Sequence, residues 1–156
     1  MIHQELEAAI NAQINQELTA SYNYLGMSTY FDNENLDEEK VHAMKLLQYL
    51  QDRGGKVELN AIPAPVFNYS NPLEAFQRAL ETEIQNTRSI NLLYELALKL
   101  NDHATKSHLQ WFLDEQVEEE KSIEDIIALL ERVGEDSAGL LYLNDKLGAR
   151  QPEAEA

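Results

Sequence analysis

The chain has no cysteine among its 156 residues, which excludes disulfide frameworks, thiolate zinc sites and cysteine nucleophiles together and fits a reducing compartment. Any metal must therefore be held by oxygen and imidazole. Basic residues are scarce. Twelve Lys and Arg stand against 28 Asp and Glu, and the resulting formal charge of −16 repels nucleic-acid phosphates and attracts cations. No apolar run approaches membrane-spanning length, and Met1 to Ala12 has neither the basic nor the apolar region of a secretory signal, so the expected location is the cytoplasm. Strand-like alternation is nearly absent, and the length suits one domain with a real core.

What is present is helical periodicity. The first segment, roughly Gln4 to Phe31, puts Leu6, Ile10, Gln13, Glu17, Ala20, Tyr24, Met27 and Phe31 on one stripe, and Asp32 to Asn35 then reads as a turn. The second, Asp37 to Arg53, carries Glu39, His42, Leu46 and Tyr49 and ends at Gly54-Gly55, where glycine supplies a left-handed cap. A connection from Lys56 to Ser70 holds Pro63 and Pro65 and should cross the bundle as an extended strap. The third segment opens with Asn71 as N-cap, Pro72 at the first helical position and Glu74 where a capping box needs it. Its stripe is Leu73, Phe76, Leu80, Glu83, Thr87, Ile90, Tyr94 and Ala97. The fourth follows Asn101-Asp102 with Leu109, Phe112, Gln116, Glu119, Ile123, Ile126, Leu130 and Val133, and Gly134 ends it. The pattern predicts an all-α four-helix bundle over about 4–134 with one long crossover, a short fifth helix over about 138–147 and a polar tail over 148–156.

Each stripe is apolar at its ends and polar in its middle: Gln13, Glu17 and Tyr24, then Glu39 and His42, then Glu83 and Thr87, then Gln116 and Glu119. A lone seam glutamate usually keeps its head in water; the same interruption in four helices points to a shared layer. Burying several carboxylates costs several kcal/mol per ion unless something neutralises them, and no Lys or Arg lies on these central positions. A multivalent cation is the remaining candidate. Glu39-Lys40-Val41-His42 reads Glu-x-x-His, which sets a carboxylate and an imidazole on one helix face, the pairing found in di-iron bundles. Mixed oxygen and nitrogen ligation suits Fe, Mn or Zn, and Cu(I) is disfavoured without thiolates.

These residues resemble the ferritin family. Gln13 to Leu18 with Ala20-Ser21-Tyr22 and Tyr24-Leu25 looks like its first-helix signature, and Glu38-Glu39 through His42-Ala43 with Arg53-Gly54-Gly55 like its second. Glu115-Gln116 with Glu118 to Lys121 looks like the fourth helix of prokaryotic non-haem ferritins and Ser137 to Leu147 like their short fifth helix, which extends the expected ferritin-like domain over 1–147. The resemblance implies that Glu17, Glu39 and His42 ligate one iron, that Glu39 bridges to a second held by Glu83 and Glu119, and that Gln116 is a weak or neighbouring ligand. Tyr24 matches a tyrosine that hydrogen-bonds a ligand or supplies an electron. Glu38, Glu115 and Glu118 match a third iron site. No haem is expected, because the positions a bacterioferritin would need are Gln116, Glu119 and Lys40.

Two features depart from that pattern. Between Leu36 and Glu38 the family has about a dozen more residues. With a turn near Asn35, Glu17 lies about 27 Å up one helix and Glu39 about 6 Å up the next, at ~1.5 Å per residue, so the two are not expected to face each other unless about eleven residues are restored to the hairpin, and a continuous chain should break the first helix early. Lys106 and Leu109 stand where an acidic entry channel would be, and His103 and His108 read as surface residues.

The implied activity is that of a ferroxidase: oxidation of Fe(II) by O2 or peroxide and storage of ferric mineral in a self-associated cage of 24 subunits. Two rivals remain: a di-metal oxidase acting on an organic substrate, and a structural or engineered shell subunit disabled by the short hairpin.

Overall fold

Helix boundaries are written locally, by side chains that satisfy the backbone groups a helix leaves unpaired at its ends. In the computed structural model, residues 1–31, 38–65 and 68–134 are described, with Glu38 described in its backbone alone. They form α1 (Gln4–Phe31), α2 (Glu38–Asp52), α3 (Pro72–Lys99) and α4 (His103–Val133), with no strand among the described residues. Asn71 caps α3 by accepting from the Glu74 amide at 2.8 Å, with Pro72 following it. The Glu74 carboxylate turns back to the amide of Ser70 at 2.7 Å, so the expected capping box closes one residue earlier than on the cap itself. Asn101, at φ 55°, makes the left-handed step between α3 and α4, a conformation that Asn tolerates better than most residues. Asp102 then accepts from the Thr105 amide at 2.9 Å.

The end of α2 is fastened to the start of α4. The Arg53 guanidinium grips both oxygens of Asp102, at 2.8 and 3.0 Å, and also donates to the hydroxyls of Tyr49 and Thr105. Gly54 takes φ 73°, and a Cβ at Gly55 would stand 2.4 Å from a Leu50 methyl, so this turn needs both glycines. The Ile2 amide donates to the Arg53 carbonyl at 3.2 Å, which sets the start of α1 beside the end of α2 as in an antiparallel hairpin.

The crossover strap is laddered onto α1 by two asparagines one turn apart. Asn11 donates to the Lys56 carbonyl and accepts from the Glu58 amide, both at 2.8 Å. Asn15 donates to the Glu58 carbonyl at 2.8 Å and accepts from the Asn60 amide at 2.7 Å. An extended segment without a strand partner thus has its backbone paired by side chains.

Helices α1 and α2 pack as one pair, α3 and α4 as another, and α1 meets α3 across the bundle. One apolar cluster joins Leu6, Ile10 and Ile14 to Leu46, Leu50, Ile90, Leu109 and Phe112. Others, around Met27, Ala75 and Ala79 and around Ile126 and Leu130, lie toward the opposite end. The polar layer sits between them. Among the described residues no helix is long and apolar enough to cross a membrane. The fifth helix expected over 138–147, the tail 148–156 and the junction residues Leu36 and Asp37 lie outside the described residues.

Asp102→Ala removes a cap and leaves Arg53 unpaired. The expected outcome is a loss of about 1–3 kcal/mol, read from the denaturant midpoint at pH 7. The paired Arg53 holds the Asp102 carboxyl well below its ordinary value, against an opposing effect of burial. A depressed folded-state value stabilises above the unfolded pKa and is lost as pH falls. The gap between wild type and variant should therefore be constant above about pH 5 and narrow below about pH 4.

Candidate metal centre

Glu17 comes from the middle of α1, Glu39 and His42 from the first turns of α2, Glu83 from α3, and Gln116 and Glu119 from α4. Glu17, Glu39, His42, Glu83 and Gln116 are all buried, and Glu119 is nearly so. Their donor atoms fall into overlapping groups, each within 4.8 Å: Glu17 with Glu39 and His42; Glu39 with Glu83 and Glu119; and His42 with Glu115 and Glu119. Glu39, His42 and Glu119 each belong to two groups, so the three merge into one cluster.

The expectation that Glu17 and Glu39 cannot face each other is thereby corrected. It assumed a tight turn with both helices rising from Asn35, whereas α1 ends at Phe31 and α2 begins at Glu38. Seven chain steps can reach about 24 Å, slightly more than the ~21 Å that separates Glu17 from the end of α1. Helix α1 runs unbroken, and the two carboxylates meet.

Neutral donors surround the acids. The Tyr24 hydroxyl donates a short hydrogen bond to Glu83, and the Gln116 amide donates to Glu83 Oε2 at 3.2 Å. Gln13 Nε2 donates to Glu17 Oε1 at 2.8 Å, and Asn86 Nδ2 to Glu17 Oε2 at 2.9 Å. Among the described residues no Lys or Arg pairs with Glu17, Glu83 or Glu119. Burial, reinforced by the charge of Glu39, raises the Glu17 carboxyl to about 8 despite the bonds from Gln13 and Asn86. Burial and the neighbouring Glu39 and Glu83 push Glu119 up further. Tyr24 is raised well above its usual value, first by burial and then by Glu83.

His42 has an aromatic wall, edge-on to Trp111 at 5.3 Å and to Phe112 at 5.9 Å, with the Lys45 ammonium on the Trp111 ring. Its Nδ1 lies 3.3 Å from Glu39 Oε2 and its Nε2 3.4 Å from Glu119 Oε1; Nδ1 and the Oε2 of Glu119 are buried without a hydrogen bond, as the donor atoms of a cation site should be before an ion arrives. Oxygens with one imidazole fit Fe, Mn or Zn.

Of the residues suggested for a third site, Glu115 joins the cluster, Glu118 is exposed and belongs to none of the groups, and the Glu38 side chain lies outside the described residues. His103 is exposed, but the surface expectation for His108 is corrected. Its ring stacks on Tyr49 at 4.1 Å, its Nε2 is buried, and burial lowers its pKa. Three residues escaped the stripes altogether. Asn86, 1% exposed, stands in the layer where Thr87 was expected; Ser89 donates to Gln13, and Glu120 accepts from Thr87. The signal for Asn86 was present, since it lies three residues after Glu83 and four before Ile90.

An all-α bundle with one long crossover and acids facing its axis from every helix defines the ferritin-like class. The ferritin-like domain family matches residues 7–133. The bacterial non-heme ferritin of Staphylococcus aureus (strain USA300) is 39% identical over 161 residues, covering 96% of this chain and 97% of that protein. Its counterpart from Staphylococcus epidermidis is 40% identical with the same coverage. The open pore ferritin of the hyperthermophilic archaeon Archaeoglobus fulgidus superposes with a TM-score of 0.93 at 39% identity, over 97% of this chain and all of that one. This chain belongs to the ferritin family. Since 96% of it is about 150 residues, the 161-residue alignment to the S. aureus protein leaves about eleven positions without a counterpart here.

An acid kept neutral by burial makes the metal-free fold sensitive to alkali. Between the unfolded value near 4.5 and the folded value of about 8, the unfolded Glu17 ionises and the folded one does not, so stability falls as pH rises. Thermal melting under chelator should show a declining midpoint from pH 5.5 to 8. The slope should be shallower in Glu17→Gln by up to about 1.4 kcal/mol per pH unit.

Proposed function

We propose that this chain is an iron-storage subunit that oxidises Fe(II) at an intra-subunit di-iron centre and retains the product as ferric mineral. The observation that carries this reading is the convergence of buried acids and one imidazole from four helices with, among the described residues, no Lys or Arg pairing Glu17, Glu83 or Glu119. The iron-storage assignment is supported by family membership and by the bacterial non-heme ferritin relatives.

The substrate is iron itself. Glu17, Glu39 and His42 would hold one Fe(II), and Glu39, Glu83 and Glu119 the other, with Glu39 common to both. Each Fe(II) gives one electron; the pair reduces O2 to hydrogen peroxide, or peroxide to water, with protons drawn from solvent. A shared carboxylate keeps the two ions close enough to act as a pair on one oxidant. Tyr24 and Gln116 orient Glu83 through their hydrogen bonds. Glu115, with His42 and Glu119, offers a third position through which an ion could pass.

Storage requires a container. Self-association into a cage, with 24 subunits as the expected number, is supported by the likeness to solved ferritins, and the formal charge of −16 would then favour cation accumulation on acidic inner surfaces. An oxidase acting on an organic molecule would need an opening onto the ligands. A cavity of about 240 Å³ between α1 and α3 is lined by Tyr24, Met27, Tyr69 and Arg78, but by none of the proposed ligands. The approach of Glu17 to Glu39 speaks against a shell subunit whose centre is disabled by the short hairpin, and cage formation without fast O2-dependent Fe(II) oxidation would favour that rival.

Glu83→Ala tests this reading. The initial rate of O2-dependent Fe(II) oxidation, followed by stopped-flow absorbance, should fall at least about tenfold while the assembly is retained. An unchanged rate overturns the di-iron assignment. Wild-type protein should also elute with ferric iron after repeated additions, whereas an oxidase without storage would turn over and retain none.

A further inference from the structure

We propose that Asn86 is a positioning residue for the metal centre, holding Glu17 in its ligating orientation through a closed amide–carboxylate ring with Gln13. The inference rests on the di-iron reading and concerns how that centre is built.

Every hydrogen-bonding valence of the Asn86 amide is committed. Its Nδ2 donates to Glu17 Oε2 at 2.9 Å and faces Gln116 Oε1 at 3.5 Å. Its Oδ1 accepts from Gln13 Nε2 at 2.6 Å and from Gln16 Nε2 at 3.0 Å. The amide has two donors and two acceptor lone pairs, so nothing is left over. The orientation is also fixed. A flipped Asn86 would set its NH2 against that of Gln13 and its oxygen against Glu17 Oε2, which can only accept once the carboxyl ionises to hold a cation. Gln13 cannot flip to accommodate it, because its Oε1 accepts from Ser89 while its Nε2 donates to Glu17 Oε1 at 2.8 Å.

Asn86 therefore ties α1 to α3, and more weakly to α4, at the height of the ligands. Each oxygen of Glu17 receives one neutral donor, which leaves a lone pair on each for an ion shared with Glu39 and His42. If stability alone were at stake, an aliphatic side chain at this buried position would pack without any polar demand. What the amide adds is direction. It acts on a donor of the group built from Glu17, Glu39 and His42, and touches none of the donors of the group built from Glu39, Glu83 and Glu119.

The test is a double-mutant cycle between Asn86→Leu and Glu17→Ala in the full-length protein. Its readout is anaerobic Co(II) titration, followed by visible absorption and calorimetry. Asn86→Leu should weaken Co(II) binding about tenfold or more when Glu17 is present and alter the Co(II) spectrum. In the Glu17→Ala background it should change the affinity by less than about twofold. Asn86→Asp, which keeps the shape and the acceptor for Gln13 but loses the donor, should behave in the same way and serves if the leucine variant does not fold. Equal losses in both backgrounds would make Asn86 a packing residue and overturn the proposal, as would no loss in either variant. A wild-type protein that binds no Co(II) overturns the di-iron reading and this inference with it. A wild-type protein that binds Co(II) in the normal way while Asn86 proves indifferent overturns this inference alone.

Discussion

Acids taken out of water with one imidazole and, among the described residues, no Lys or Arg beside Glu17, Glu83 or Glu119 are the constraint around which this bundle is organised. Burial raises the carboxyls of Glu17 and Glu119, and neutral donors from Gln13 and Asn86 serve Glu17 while Tyr24 and Gln116 serve Glu83. None of these supplies a positive charge. The layer is therefore destabilising by itself, of order several kcal/mol per ionised group, and its cost is offset by the apolar clusters on either side. A bundle can carry such a layer only when its ends are well packed.

The ends are secured by separate devices, each local. Arg53 on Asp102 joins the second helix to the fourth, Asn71 and Pro72 start the third, and Asn11 and Asn15 carry the strap. The strap is held in register along α1 over Lys56 to Asn60, and apolar packing sets α3 against α1. That packing brings Asn86 level with Glu17 and lets Tyr24 reach Glu83.

The sequence already carried most of this in its periodicity. Glu17, Glu39, His42, Glu83 and Glu119 interrupt apolar stripes, and each interruption falls in the buried layer, because a helix that is otherwise greasy on one face has no other place to put them. Asn86 was harder to read because Asn86 and Thr87 are both polar, and a step of three or four residues from Glu83 is equally helical. Only the crossing angle of real helices decides which is enclosed. The Leu36 to Glu38 junction misled for a different reason: helix phase can be read from spacing, but the height of one helix against its neighbour depends on where each begins. His108 shows the same limit. Its environment is made by Tyr49 on another helix, and nothing within α4 announces it.

Helix α2 has 15 residues against 28 in α1, and Glu39 is the second of them. Its opening turn, where backbone amides lack internal partners and fray most readily, therefore carries a carboxylate common to two of the groups. Deeper in the helix that carboxylate would stand on a rigid shaft. Here, holding a cation and winding the first turn of the rod would be one thermodynamic event, so the entropy of a fraying end would enter directly into the affinity of the site.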